Sequence, residues 1–144
     1  IIKTYIAMDD YEHILSYITL GFKQANESEK VDLLLLKGNY YRGNGQLKKA
    51  KEYYDQAYQM ENTNALILTS QAVILIDLED YESAITKCNA SIALDPNQME
   101  AYYNRGIANE MVRNVDDACN DWERAFILGS QKAIEHLNGP VCNE

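Results

Sequence analysis

Histidine and cysteine, the residues of many nucleophilic catalytic sites, are few in this 144-residue sequence, which contains only two histidines and three cysteines. A thiol that attacks a substrate needs a neighbouring base, and histidine is the usual one. His13 and His136 lie at opposite ends of the chain, and Cys88 lies between them. We therefore expect no cysteine–histidine dyad, and the sequence predicts a non-catalytic protein without catalytic residues.

The cysteines also give no sign of a metal site. Cys88, Cys119 and Cys142 have none of the spacings that zinc sites use, and their odd number excludes a fully paired disulfide framework. The sequence predicts neither a metal nor a cofactor. For Cys119 and Cys142 it leaves two states open: free thiols, in keeping with a weak preference for a reducing, cytoplasmic compartment, or a disulfide bond.

Charge and hydropathy limit the classes of partner. The chain has 22 acidic and 13 basic residues, which gives a net charge of -9. Binding of nucleic acid needs clustered Lys and Arg, so a nucleic-acid ligand is not expected. The longest apolar run, residues 65–76, is interrupted by Thr69, Ser70 and Gln71 and is too short to span a bilayer. Basic or apolar protein surfaces remain as the predicted partners.

The elements that would position these residues repeat along the chain with a period of 34 residues. Small residues recur at Gly38, Ala72 and Gly106, and again at Ala50, Ala84 and Ala118. A third set with the same step consists of Tyr54, Cys88 and Trp122. A period of this length is typical of helix-turn-helix units that stack on one another.

The chain resembles the tetratricopeptide repeat family. The first full copy carries the family signature at Leu34, Gly38, Tyr41, Ala50, Tyr54 and Ala57, and the third copy carries it at Tyr102, Gly106, Ala118, Trp122 and Ala125. The middle copy departs from it at Ala72, Leu75, Cys88 and Ser91 but keeps the closing Pro96. The resemblance implies an all-α fold: a right-handed superhelical solenoid of antiparallel helix pairs with a C-terminal capping helix.

A single domain over residues 1–144 is predicted. Its parts would be a partial repeat at 1–27, full repeats at 30–62, 64–96 and 98–129, a capping helix at 130–137 and a tail at 138–144. Residues 1–8 resemble the end of a helix, with Asp9 and Asp10 as N-caps of the next one. Because the sequence begins IIKTY inside a repeat, without a Met, we expect further repeats upstream.

Small residues in both helices of a unit allow their backbones to approach closely. We expect Gly38 and Gly106 to lie where the first helix of a unit meets the second, with Tyr54 and Trp122 filling the space beside them. A larger residue at Gly106 would overpack this contact. Cys88, at the position equivalent to Tyr54, is predicted to be a buried and inert thiol.

In the family, the first helix of each unit lines a concave face that binds an extended peptide or a partner helix. Carried over position by position, the resemblance implies a peptide-binding groove formed by Leu35, Asn39, Arg42, Thr69, Ser70, Val73, Asp77, Glu100, Tyr103, Asn104, Ile107 and Met111. Leu66 holds an equivalent position, but its helix is apolar almost all round, which favours packing for Leu66. An apolar centre with a polar rim is typical of a protein-binding surface.

The charges in this groove disfavour one kind of ligand. Family members that grip the acidic C-termini of chaperones use Lys, Asn and Arg side chains, and the matching positions here are Leu35, Asn39, Ser70, Glu100 and Asn104. Only Asn39 keeps the residue type, and Glu100 places a carboxylate where the family has a cation. A segment with Lys or Arg around an apolar anchor is therefore the predicted ligand.

These observations predict a scaffold that binds a peptide or protein segment on its concave face. Two alternatives stay open. One is a structural role, in which the shortened N-terminal helix or the convex face mediates self-association. The other is a regulatory domain within a larger protein. Light scattering at increasing concentration would separate self-association from peptide binding.

Overall fold

A computed structural model describes residues 11–143 of the chain, and within this range it forms eight α-helices and one short 3-10 helix. The chain divides into two compact units at Asn62–Thr63. Unit 1 contains α1 (Tyr11–Gln24), α2 (Glu27–Gly43) and α3 (Leu47–Met60). Unit 2 contains α4 (Ala65–Asp77), α5 (Tyr81–Leu94), α6 (Met99–Met111), α7 (Val115–Ile127), α8 (Ala133–Leu137) and the 3-10 helix Pro140–Cys142.

This order of helices confirms the predicted all-α fold class of helix pairs. The pairs are α2–α3, α4–α5 and α6–α7, and the helices of each pair pack against each other. The predicted helix end at residues 1–8 and the predicted N-caps Asp9 and Asp10 lie outside the described residues. The grouping of all repeats into one domain remains a prediction.

Connections of three residues join the helices of each pair, and they share one backbone geometry. Gly45, Glu79 and Arg113, spaced 34 residues apart, have positive φ angles of 71°, 63° and 63°. The amide of the next residue donates to a carbonyl in the last turn of the preceding helix, as from Asn114 to Asn109 at 2.8 Å. Each first helix therefore ends in the same left-handed cap, although only one of the three residues is glycine.

Two glycines confirm the predicted close approach of paired helices. A Cβ atom added at Gly106 would lie 2.5 Å from Nε1 of Trp122, and one added at Gly38 would overlap the ring of Tyr54. Both aromatic residues are buried: Tyr54 is 1% exposed and Trp122 is 0% exposed. Each aromatic ring therefore lies directly on a glycine of the partner helix, in the space that a side chain would need.

Two helix boundaries differ from the sequence prediction. α2 begins at Glu27, about one turn before the predicted start at Lys30, because Asn26 and Glu29 form a capping box with bonds of 2.9 and 2.8 Å. α8 begins at Ala133 and not at Ser130. The amide of Ser130 donates to the carbonyl of Ala125 at 2.9 Å, so Ser130 belongs to the C-terminal cap of α7.

The C-terminal segment covers the apolar end of unit 2. Ala118, Trp122 and Ala125 of α7 form a buried cluster with Ala133 of α8. The neighbouring partly buried residues include Tyr103, Ile107, Leu137, Val141 and Cys142. Cys119 and Cys142 form a disulfide bond, with their Cα atoms 5.7 Å apart, which is one of the two states that the sequence left open. This bond attaches the segment after α8 to α7.

Candidate functional site

The first helices of the two pairs in unit 2, α4 and α6, pack beside each other. Residues 34 apart on these helices hold equivalent positions, such as Leu66 with Glu100 and Asp77 with Met111. We call the surface formed by these helices the α4–α6 face. Its side chains are those of Leu66, Ser70, Val73, Asp77, Glu100, Tyr103, Ile107 and Met111.

The α4–α6 face exposes apolar side chains at both of its ends. Leu66 is 51% exposed and Met111 is 53% exposed. Val73 and Ile107 lie between them and are half-buried. Asp77 and Glu100, both partly exposed, add carboxylates to the same helices. The face therefore combines apolar contact area with negative charge.

Three predicted groove residues in unit 2 form hydrogen bonds within the protein, and two of them are buried. Thr69 is 4% exposed, and its hydroxyl lies 2.9 Å from Oγ of Ser91. Asn104 is 8% exposed and donates from Nδ2 to the carbonyl of Glu100 at 2.7 Å. The hydroxyl of Ser70 donates to the carbonyl of Leu66 at 3.0 Å. Thr69 and Asn104 offer almost no surface to a ligand because their side chains join neighbouring turns and helices.

Three predicted groove residues belong to α2 in unit 1. Leu35 is 8% exposed and forms part of the buried side of α2. Asn39 is exposed, and its Oδ1 accepts a hydrogen bond from the hydroxyl of Tyr54 at 2.6 Å. Arg42 is exposed near the C-terminal end of α2. The amide oxygen of Asn39 is thus already occupied by a residue of the neighbouring helix.

Tyr103 connects the α4–α6 face to the C-terminal cap. Its hydroxyl lies 3.3 Å from Nε2 of His136 on α8, and the two rings meet edge to face with centres 5.6 Å apart. The imidazole of His136 also stacks on Trp122, with ring centres 4.2 Å apart. Burial raises the pKa of Tyr103, and the carboxylates of Glu100 and Glu135 raise it further. Helix α8 therefore contributes both an aromatic contact and a negative charge next to Tyr103.

A second polar cluster lies between α5, α6 and α7. The guanidinium of Arg105 donates two hydrogen bonds to the carboxylate of Asp121, at 2.9 and 2.6 Å, and a third to Oδ1 of Asn89 at 2.6 Å. Asn109 donates to the same carboxylate at 3.1 Å. The hydrogen bonds to Asp121 raise the pKa of Arg105. This cluster joins three helices, and Asp121, which is 5% exposed, has its charge balanced within the protein.

Cys88 lies next to this cluster and is fully buried, as the sequence predicted. Burial raises the pKa of its thiol to about 12. A thiol with this pKa is almost entirely protonated near neutral pH and is a poor nucleophile. Cys88 therefore fills the core position that Tyr54 and Trp122 fill in the other units.

Sequence reasoning missed three contributors to the candidate site. It favoured packing for Leu66, but half of this residue is exposed because it lies in the first turn of α4. It also gave residues 130–137, which include Glu135 and His136, only the role of a capping helix. Their place beside Tyr103 depends on how α8 packs on α6 and α7, and no repeat position in the sequence encodes that packing.

Among the side chains that the structure describes, no three His, Cys, Asp or Glu residues converge as a metal site requires. Every helix in the described part of the chain is too short or too polar to cross a lipid bilayer.

Comparisons with known proteins give the same family that the repeat pattern resembles. A family model described as "Tetratricopeptide repeat" matches residues 31–64, and one described as "TPR repeat" matches residues 72–112. RNA polymerase II-associated protein 3 of Xenopus tropicalis is 33% identical over 102 residues, which cover 71% of this chain and 16% of that protein. The chain thus spans about a sixth of the length of this relative.

Two solved structures extend the comparison. The first TPR domain of Spaghetti (RPAP3), bound to the HSP90 peptide SRMEEVD, has a TM-score of 0.72 and 28% identity, covering 76% of this chain and 89% of that one. The second TPR domain of human RPAP3, in complex with the HSP70 peptide SGPTIEEVD, has a TM-score of 0.65 and 25% identity, covering 74% and 94%. Together with the two repeat matches, this agreement shows that the chain belongs to the tetratricopeptide repeat family.

Proposed function

We propose that this chain is a non-catalytic scaffold that binds a peptide or protein segment on the α4–α6 face. The observation that carries the proposal is the exposure of Leu66 and Met111 on the same face as the half-buried Val73 and Ile107. Apolar surface of this kind, bordered by polar groups, is typical of a protein-binding site. The peptide complexes of two similar TPR domains support a peptide as the class of ligand.

The segment bound by this chain differs in charge from the peptides of those relatives. SRMEEVD and SGPTIEEVD both end in two glutamates, a valine and an aspartate. On the α4–α6 face, the carboxylate of Glu100 would repel such an end. Among the positions that match the clamp of Lys, Asn and Arg residues, Leu35 and Asn104 are buried and Glu100 is acidic. A segment with Lys or Arg beside apolar residues fits these groups better.

The state of the potentially reactive side chains supports a role without catalysis. The thiol of Cys88 is buried and protonated, and the sulfurs of Cys119 and Cys142 are bonded to each other. His136 is stacked on Trp122 and paired with Tyr103. Each of these groups has a structural role that accounts for its position.

Selection from a displayed library of random 12-residue peptides would test the proposal. The affinity of a selected, fluorescently labelled peptide is measured by anisotropy for the wild-type chain and for the variants Leu66→Asp and Met111→Asp. Ile127→Asp is the matched control, because Ile127 is 70% exposed but lies on α7, away from the α4–α6 face.

We expect each variant of the face to weaken binding at least tenfold, and we expect Ile127→Asp to leave it unchanged. Circular dichroism must show the same helicity for all variants. If no peptide is selected, or if all variants bind equally, the proposal is wrong. A molar mass that rises with concentration in light scattering, and falls for Ile127→Asp, would favour self-association in its place.

A further inference from the structure

Two carboxylates near Tyr103 form no ion pair with another of the described residues: Glu100, in the first turn of α6, and Glu135, on α8. Glu135 is next to His136, whose Nε2 lies 3.3 Å from the hydroxyl of Tyr103. In keeping with this placement, both carboxylates raise the pKa of Tyr103. Glu100 and Tyr103 are three residues apart on one helix, so their side chains lie on the same side of it.

The aromatic ring of Tyr103 also lacks a cation. Its neighbour Tyr102 has the guanidinium groups of Arg105 and Arg124 at 5.5 and 5.8 Å from its ring centre. Within residues 11–143, no cation is placed over the ring of Tyr103. Arg105 is also held by Asp121, so it is not free to move to Tyr103. Arg105 and Arg124 are thus already engaged elsewhere in unit 2.

Contacts with His136 of α8 hold Tyr103 in position. His136 contacts both its hydroxyl and its ring edge, and His136 is itself stacked on the buried Trp122. Tyr103 remains partly exposed with this contact in place. A partly exposed aromatic ring with one carboxylate on its own helix and another on α8 is a surface that attracts an ammonium or guanidinium group.

Apolar surface lies next to these groups. Ile107 is one turn after Tyr103 on α6, and it is half-buried. Leu66, at the position of α4 equivalent to Glu100, is half exposed. A Lys or Arg side chain has an apolar stem and a charged end, and it could lie along Ile107 or Leu66 with its charge at the carboxylates.

We propose that Glu100 and Tyr103 of α6, together with Glu135 of α8, form a subsite for one Lys or Arg side chain of the bound segment. The proposal rests on the peptide-binding function proposed above and names the side chain that this end of the face recognises. It makes α8 part of the binding surface as well as a cap. The negative charges and the cationic side chain are complementary, and this gives the subsite its specificity.

The test uses a peptide from the library selection and an analogue in which its Lys is replaced by norleucine, which has no charge. Both peptides are titrated against the wild-type chain and against Glu100→Gln/Glu135→Gln. The matched control is Glu82→Gln/Glu123→Gln, which removes the same charge from exposed positions on α5 and α7. Tyr103→Leu removes the ring but keeps an apolar side chain.

We expect the Lys peptide to bind the wild-type chain about fivefold to thirtyfold more tightly than the norleucine peptide. This preference should disappear in Glu100→Gln/Glu135→Gln, decrease in Tyr103→Leu and persist in the control. If the preference persists in Glu100→Gln/Glu135→Gln, or if the selected peptides contain no Lys or Arg, the subsite is wrong.

The two proposals fail in different ways. If Leu66→Asp and Met111→Asp weaken binding but the glutamate variant does not distinguish the two peptides, the face binds peptides without this cationic subsite. If none of these variants changes binding, or no peptide binds at all, both proposals are wrong.

Discussion

At the scale of single residues, the positions of Gly38 and Gly106 explain why the repeat keeps small residues at fixed places. A Cβ atom at either glycine would enter the space of a buried aromatic ring from the paired helix. Interiors are packed as densely as organic crystals, so a ring of this size cannot shift without moving its neighbours. The close contact of α6 with α7 therefore requires a residue without a side chain at position 106.

Gly106→Ala should lower the free energy of unfolding by about 1–3 kcal/mol, because the added methyl group overlaps Trp122. Urea unfolding followed by circular dichroism measures the change. Gly43→Ala is the control: a Cβ atom there meets nothing within 4 Å, so this substitution should be neutral or stabilising. Equal stability of the two variants would contradict the close contact.

The buried thiol of Cys88 should not react in the folded protein. Its pKa is raised to about 12 from 9.0, so alkylation by iodoacetamide at pH 8 should be absent by mass spectrometry until urea unfolds the chain. A raised pKa also means that folding favours the protonated thiol. The contribution of the Cys88 thiol to the free energy of unfolding is complete below pH 9, and it decreases as the pH rises from 9 towards 12. Rapid labelling of native Cys88 would show that the thiol is accessible.

The burial of these residues could be predicted from the sequence, because residues that are 34 apart hold equivalent positions and can be compared with one another. Gly106, Trp122 and Cys88 could be placed in the core from their spacing and size alone. The exposure of Leu66 could not be predicted in the same way. An apolar residue in an apolar helix has the same sequence pattern whether it packs against a neighbour or faces solvent. Leu66 faces solvent because it lies in the first turn of α4, and the sequence pattern does not show this.

At the scale of elements, the first helix of each of the three pairs is followed, two residues after its end, by a residue with positive φ. Gly45 adopts this conformation without strain, but Glu79 and Arg113 do so at a cost of about 1–2 kcal/mol for a residue with a Cβ atom. Turn residues at 43–45 could be predicted from the two glycines. The connections at 78–80 and 112–114 contain no glycine, so their residue types do not indicate the same geometry.

Glu79→Gly and Arg113→Gly should each raise the free energy of unfolding by about 0.5–1 kcal/mol, because relief of strain exceeds the entropy that glycine adds to the unfolded chain. Thermal or urea unfolding would detect this increase. Gly45→Ala, the reverse change at the equivalent turn, should be destabilising. Destabilisation by both glycine substitutions would contradict the assigned turn geometry.

The disulfide bond should stabilise unit 2 by holding the segment after α8 against α7. Cys119 and Cys142 are 23 residues apart, and closing a loop of this length in the unfolded chain is worth about 3 kcal/mol in the chain-entropy model. A reducing agent should therefore lower the unfolding midpoint of the wild-type chain. The variant Cys119→Ser/Cys142→Ser should start at the lower value and not respond to the reducing agent. An equal midpoint for oxidised and reduced wild type would contradict this account.

At the scale of the whole molecule, the fold and the negative charge affect the binding of a segment in different ways. The family places first helices where they can bind a segment, and the net charge of -9 selects which segments approach. The chain shares its fold with domains that bind acidic peptides, and the preference for a basic segment that we propose rests on Glu100 of the α4–α6 face. In this proposal, a few side chains on a common scaffold change the ligand.

The sequence predicts the repeated helices of the whole molecule, but not the contacts that lie outside the repeat pattern. The repeat period predicts which helices exist and which positions share a face, because both are properties of a regular pattern. It does not predict that α8, which is not a repeat helix, brings Glu135 and His136 to Tyr103. Likewise, the burial of Thr69 and Asn104 depends on their particular hydrogen-bond partners, which the family pattern does not specify.

The most direct test of the account is to map the peptide site by NMR. With a mass of 16.4 kDa, the chain is small enough for assigned ¹H–¹⁵N correlation spectra recorded during titration with a selected peptide. We predict that the largest shifts occur at residues 66–77, 100–111 and 133–136, and that the amides of α5 and the outer side of α7 change little. Shifts confined to α5 and α7, or an unchanged spectrum at saturating peptide, would contradict binding on the α4–α6 face.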